Sequence, residues 1–183
     1  AAGLLHKYHG RVLLTLTGAC AIHCRYCFRR HFPYADANPV REQWSSTLEY
    51  IDANPDITEV ILSGGDPLSL PDDRLAALVS DLGAISHIER LRIHTRLPVV
   101  LPSRITPALA SLFSEQRLPV VWVIHANHPN ELSPALGDAI ERLRNPNGTL
   151  LNQSVLLKSI NDDADTLATL SKRLFDLGVL PYY

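Results

Sequence analysis

Three cysteines, Cys20, Cys24 and Cys27, fall within the eight-residue segment CAIHCRYC, and the chain has no others. An odd set of thiols packed this tightly is not a disulfide framework, because one thiol would be left over. Thiolates are the ligands that hold iron–sulfur clusters, and close spacing lets one short loop wrap one cluster. Three protein ligands leave one iron of a four-iron cube open to a small molecule, whereas four would favour electron transfer. The other chemistry open to this segment is structural zinc, with His23 or His31 as the fourth ligand. Such zinc sites usually draw on two short paired clusters, and no second pair exists here.

The elements that must position these thiols are legible on either side of them. Apolar runs of strand length recur at Val12–Thr17, Val60–Ser63, Leu91–Thr95, Val120–His125, Ser154–Leu157 and Val179–Tyr183. They are rich in Val, Ile and Leu and mostly nonalternating, which predicts six parallel strands covered on both faces. Between them lie helical patterns. Leu75, Leu78, Val79 and Leu82 follow 3.6-residue spacing behind an acidic first turn at Asp72 and Asp73. Thr106–Pro107 and Ser133–Pro134 each read as an N-cap with proline at the first helical position. Leu167, Leu170 and Leu174 mark a further helix that Gly178 closes, and another is expected around Arg41–Ala53. Alternating strands and helices with right-handed crossovers give an α/β fold on one parallel sheet. Periodicity fits a doubly wound sheet and a partial (β/α) barrel equally, and in either one the residues just beyond the strand C-termini line the site.

Composition narrows the classes. The 183 residues are 46% hydrophobic and 20% charged, a globular profile sized for one domain. Lys and Arg total 17 against 19 Asp and Glu, a net charge of -2 that gives no reason to expect binding to nucleic acid or a membrane surface. No apolar run approaches the ~20 residues of a membrane span and the start lacks a signal-peptide core, so a cytoplasmic protein is expected. With no Met, even at position 1, the chain reads as a piece of a longer polypeptide.

Longer strings carry a resemblance. RVLLTLTGACAIHCRYCFRRHFPY at 11–34 is joined by LSGGDPL at 62–68, TRLPVVLPSRIT at 95–106, HANHPNE at 125–131 and NQSVLLKSIND at 152–162. Together, and in this order, they resemble the radical S-adenosylmethionine enzymes of the lysine 2,3-aminomutase family. The CFRRHFPY ending is most similar to the branch that makes β-lysine for modification of elongation factor P. The resemblance implies a partial (β/α)6 TIM-like barrel spanning residues 1–183, with the family's N- and C-terminal extensions absent. It implies a [4Fe–4S] cluster on Cys20, Cys24 and Cys27, S-adenosylmethionine on the open iron, and pyridoxal 5′-phosphate in the full-length enzyme. It also implies L-lysine as substrate, an electron donor such as flavodoxin or ferredoxin, an indirect link to elongation factor P, and a homo-oligomer. A catabolic lysine 2,3-aminomutase and a zinc-stabilised binding module remain the rival readings.

Roles follow residue by residue. Ser63, Gly64, Gly65 and Asp66 end the second run, where glycines permit close backbone approach and an acidic residue orders the loop or accepts a hydrogen bond; an ordinary βα turn has the same composition. By resemblance this segment binds the amino group of S-adenosylmethionine, and His125 and Gln153, at the end of the fourth run and the start of the fifth, contact the same molecule. Arg29 is implied as the clamp on the lysine carboxylate, a task suited to its fork of donors. Tyr8 and Arg11 match positions that hold pyridoxal phosphate. Lys7, Lys158 and Lys172 do not lie in the family's Schiff-base context. Arg96, Arg104, Asn127 and His128 fall in the matching strings without a role.

Overall fold

The computed structural model describes residues 3–31 and 41–182, with side chains in the second segment from residue 44 onward. The Phe32–Tyr34 end of the CFRRHFPY string and Tyr183 lie outside the described residues. The strands are β1 (Leu4–Tyr8), β2 (Arg11–Thr15), β3 (Glu59–Ser63), β4 (Arg90–Thr95), β5 (Val120–Ile124), β6 (Thr149–Asn152) and β7 (Leu180–Pro181). The helices are α1 (Arg41–Asp52), α2 (Asp72–Ala84), the short α3 (Leu97–Val100), α4 (Pro107–Ser114), α5 (Pro134–Leu143) and α6 (Ala164–Asp176). The expected caps are in place: Thr106 and Ser133 accept hydrogen bonds from the amides of Leu109 and Leu136, and Gly178 takes a φ of 67° past the end of α6.

All seven strands form one sheet in the order of the sequence, parallel from β2 to β7 with β1 antiparallel at the edge. This order decides between the two architectures. A doubly wound sheet must reverse direction at a switch point. Here every crossover advances by one strand, so right-handed connections put the helices on one face and leave the other bare, as in an incomplete barrel.

The expectation of strands covered on both faces is corrected by the burial pattern. In β4, Leu91, Ile93 and Thr95 are buried while Arg92 and His94 are half-buried, and β2 and β3 alternate similarly. The buried set packs on the helices: Val60, Leu62, Leu91, Ile93 and Trp122 share one core with Leu75, Leu78, Leu109, Phe113, Leu136 and Leu174. The Phe113 and Trp122 rings meet edge to face at 4.9 Å and pin α4 to β5. The opposite face is concave. There Glu59 accepts from Arg92 at 2.7 Å and lies 3.6 Å from Arg11, and Arg92 donates to the Tyr182 hydroxyl at 3.2 Å. Arg92 and Tyr182 belong to β4 and to the residue after β7, three strand spacings or about 14 Å apart on a flat sheet. Their side chains meet across the intervening strands β5 and β6 on this face.

Three strand expectations are corrected. β1 was not foreseen, because LLHKY lacks a β-branched run and pairs only through the tight turn at His9–Gly10, where Gly10 takes a φ of 80°. Ser154–Leu157 is not a strand; β6 is Thr149–Asn152, and Gln153 therefore follows a strand instead of starting one. The final run shrinks to Leu180–Pro181. Among the described residues, no helix is long and apolar enough to cross a membrane.

Candidate functional site

The C-terminal ends of the parallel strands open into a chamber of about 570 Å³, a size suited to a cofactor-scale ligand. Cys20, Cys24 and Cys27 all line it, on a loop of successive turns in which the Cys27 amide bonds the Cys24 carbonyl and the Arg30 amide bonds the Cys27 carbonyl. The neighbouring β3 loop anchors this segment. The amides of Gly65 and Asp66 donate to the carbonyls of Thr17 at 2.6 Å and Ala19 at 2.8 Å. A Cβ on Gly64 would stand 2.7 Å from the Thr17 carbonyl, and one on Gly65 would collide with that of Ala19. The two glycines thus permit backbone to meet backbone, which holds the entrance of the cysteine loop against β3.

Among the described residues, no three His, Cys, Asp or Glu side chains are arranged to hold a metal ion. The three thiols share the chamber without being drawn to one point. Burial, then the charge of Asp66, pushes Cys20 up to about 11, and burial raises Cys24 against the opposing pull of Arg96, so these two thiols keep their protons and have no attraction to a common point. Binding iron would displace those protons and supply the missing centre.

Asp66 is buried and fully employed by the protein. Its Oδ1 accepts from the Leu68 amide at 3.1 Å and the Thr95 hydroxyl at 2.7 Å, and its Oδ2 from the amides of Arg96 at 2.7 Å and Leu97 at 3.1 Å. It clamps the β3 loop to the β4 loop. Burial still raises its pKa, with the Thr95 and backbone bonds acting the other way. Arg29 has a comparable bridging bond set, its Nη1 donating to Ser63 Oγ at 3.2 Å and to the Gly64 carbonyl at 3.1 Å.

On the far wall, His94 and His125 pack edge to face at 5.7 Å, and Gln153 bonds His94. His125 Nε2 is buried without a partner. Burial, then Arg92 and Arg29 outweighing Glu59, brings His94 down to about 4; burial, then His94 and Arg96, brings His125 down to about 3. Both rings are therefore neutral in the fold, and the unfolded chain binds protons first on acidification. Stability is present above the unfolded value near 6.5 and is lost as pH falls towards the folded values, by about 1–2 kcal/mol per ring at pH 5. Metal-free protein is expected to show this loss in thermal unfolding between pH 7 and pH 5, and His125→Gln should reduce it by about 1 kcal/mol or more. An unchanged pH slope would refute the assignment.

The structure thus gathers Cys20, Cys24, Cys27, Arg29, Ser63, Gly64, Gly65, Asp66, His125 and Gln153 around one chamber. It does not bring Tyr8 and Arg11 there. They pair across the β1–β2 turn, at the N-terminal edge of the sheet. Arg104 and His128 are structural: Arg104 donates to the Leu68 and Leu70 carbonyls and pairs with Asp72, and the His128 ring accepts from the Asn130 amide. Tyr26, His94 and Asn127 also line the chamber. Asn127 donates to the Tyr26 hydroxyl at 2.6 Å and accepts from the Val155 amide at 2.8 Å, joining the cysteine loop to the β5 and β6 loops. The sequence signals for these were membership of the matching strings for Tyr26 and Asn127 and, for His94, its place near the end of β4.

A family profile described as the radical SAM superfamily matches residues 14–164. The L-lysine 2,3-aminomutases of Escherichia coli K12 and Haemophilus influenzae are 54% and 55% identical over 181 residues, or 99% and 98% of this chain. That of Clostridium subterminale is 40% identical over 182 residues. The chain spans about half the length of the curated relatives it matches: 53% of the first two and 44% of the third. With a profile covering most of its length and three cysteines at the mouth of a parallel half-barrel, the chain belongs to the radical SAM superfamily.

Proposed function

We propose that this chain is the radical-generating part of a lysine 2,3-aminomutase that converts L-lysine to β-lysine, in the branch serving elongation factor P. The observation that carries the reading is the convergence of three thiols from one loop and an unpartnered His125 nitrogen on a single chamber. That donor set fits a [4Fe–4S] cluster with an open iron and a ligand bearing polar groups. When bound, the cluster supplies the electron that cleaves the sulfonium of S-adenosylmethionine to an adenosyl radical.

The chain's own residues do the rest. Cys20, Cys24 and Cys27 hold the cluster. The loop from Ser63 to Asp66 shapes the wall that meets the methionyl amino group, with Asp66 setting its conformation from behind. His125, kept neutral, offers Nε2 as a donor or acceptor, and Gln153 is oriented by His94. Arg29 takes the lysine carboxylate with the donors that Ser63 and Gly64 leave. The buried part of the wall, at Asp66 and Asn127, limits water around a reactive radical. Tyr8 and Arg11 remain the residues proposed for pyridoxal phosphate, and they lie away from the chamber, paired across the β1–β2 turn.

The test is anaerobic reconstitution of the whole protein, followed by reduction with S-adenosylmethionine, pyridoxal phosphate and lysine. Roughly four irons and four sulfides per chain and β-lysine by mass spectrometry are expected; tetrahedral zinc without iron would overturn the reading. Transfer of the product to elongation factor P separates this branch from lysine catabolism. Arg29→Lys should retain the cluster and lose about 10²-fold or more in kcat/KM for lysine, since an ammonium cannot reproduce a planar two-pronged contact. Unchanged kinetics would remove Arg29 from the substrate site.

A further inference from the structure

The cysteine loop carries a charge that the rest of the chain does not share. From Gly18 to His31 it holds Arg25, Arg29 and Arg30 and no acidic residue, in a chain whose net charge is -2. Arg11, Arg90, Arg92, Arg96, Arg104 and Arg144 each pair with a carboxylate, whereas among the described residues no carboxylate pairs with the three loop arginines. Arg29 is spent on Ser63 and Gly64, and Arg30 Nη2 donates to the Arg25 carbonyl, which folds it back along the loop. Arg25 and Arg30 are both exposed. Apolar side chains stand out beside these charges. Phe28, next to Cys27, is 88% exposed, and Ile22, between Cys20 and Cys24, is 46% exposed. The Arg29 guanidinium lies 5.1 Å from the Phe28 ring centre, and the ring stays outside the core. An exposed aromatic among arginines whose charge no carboxylate offsets has the make-up of a protein-binding surface.

The chemistry beside the surface says what it would bind. The three thiols are only half-buried, so a cluster they hold lies close to the outside. The electron that cleaves the sulfonium must first arrive from another molecule, and electron tunnelling falls steeply with distance, so its carrier comes against this loop. We propose that the exposed rim of the loop, formed by Ile22, Arg25, Phe28 and Arg30, is the docking surface for an acidic protein that carries single electrons. The proposal rests on the radical SAM reading of the thiols. Arg25 and Arg30 draw the negative partner in, while Phe28 and Ile22 exclude water at the contact. One electron passes from the reduced carrier to the oxidised cluster, the carrier leaves oxidised by one electron, and no group is transferred.

The experiment uses whole protein with a reconstituted cluster, its iron and sulfide content verified first, so that failure of the radical SAM reading shows before docking is measured. The probe is flavodoxin, an acidic one-electron carrier, and the affinity of its oxidised form is measured by calorimetry at low and high salt. Formation of 5′-deoxyadenosine from S-adenosylmethionine, without lysine, is then compared under reduced flavodoxin and under reduced methyl viologen, a small cationic donor that needs no docking surface. Wild-type affinity for flavodoxin is expected to fall as salt is raised. Arg25→Glu should weaken flavodoxin binding by roughly tenfold or more at low salt and flatten the salt dependence. Phe28→Ser should weaken it by roughly the same factor at every salt concentration. Both variants should retain iron, and neither should slow the viologen-driven reaction. Unchanged flavodoxin affinity in either variant would overturn the proposal. So would an equal loss with flavodoxin and with viologen, which would return these residues to the chamber. A lower melting temperature of Phe28→Ser with undisturbed flavodoxin binding would make the patch a contact for the rest of the polypeptide. Salt-sensitive binding of a mixed-sequence RNA in place of flavodoxin would make it a nucleic-acid surface and overturn the proposal equally. If Arg25→Glu loses iron, Arg25→Gln replaces it, with an intact cluster, weaker flavodoxin binding and an unchanged viologen rate expected. Loss of iron in both would make Arg25 a structural residue of the loop and overturn its part in docking.

Discussion

A Cys24→Ala variant is expected to emerge from anaerobic reconstitution without a four-iron cluster and without any reductive cleavage of S-adenosylmethionine. The three thiols sit on one loop of successive turns whose entrance is fixed by the Gly65 and Asp66 amides, so the loop presents them as a set. No spare ligand stands by: among the described residues, no other Cys exists, and no His, Asp or Glu joins them in a metal-holding group. Removing the middle thiol leaves two ligands for a cube that needs three, and the dependent chemistry falls to background. The fold should survive, because Cys24 is only half-buried. Circular dichroism should therefore match wild type while iron content collapses. Full iron retention would refute the ligand assignment.

Replacing Asp66 by alanine is expected to destabilise the protein by about 3 kcal/mol or more. Of the four donors it satisfies, the Leu97 amide keeps a bond to the Thr95 hydroxyl at 3.1 Å. The amides of Leu68 and Arg96 have no substitute, and each stranded buried donor costs roughly 1–3 kcal/mol. Asp66→Asn should fall between alanine and wild type, since its amide nitrogen would face the N–H groups of Arg96 and Leu97. Denaturant unfolding measures both. Because the clamp joins the β3 and β4 loops, the alanine variant should also bind S-adenosylmethionine poorly. A shift below about 1 kcal/mol would mean that water replaces the carboxylate.

What could be read from the chain beforehand depended on whether the signal was local. Caps at Thr106, Ser133 and Gly178 were legible because each is a few residues interacting with themselves. The cysteine loop was legible for the same reason. β6 was misread because NQ at 152–153 looks like a break before SVLL, when TLLN ahead of it is the paired segment; only the neighbouring strand decides that register. The choice between half-barrel and doubly wound sheet was closed to periodicity, which is blind to strand order. Arg96 and Arg104 occupy one string and read alike, yet Arg104 is spent on carbonyls and Arg96 keeps two free donors. That difference is made by Leu68, Leu70, Tyr26 and Glu131, all brought in from distant parts of the chain.

The in-order sheet bears on how the molecule is made. From β3 onwards the strands begin about 30 residues apart, and each pairs with the one synthesised just before it. At ~5–20 residues per second a ribosome delivers such a unit in a few seconds, far longer than helix or hairpin formation takes. Each strand emerges to find its template already waiting, so the sheet can lengthen as fast as it is translated. The cysteine loop, encoded before β3, is the exception. Its anchor at Gly65 and Asp66 is translated some forty residues later, which leaves a window in which the thiols are out on the growing chain before the third strand can hold their loop.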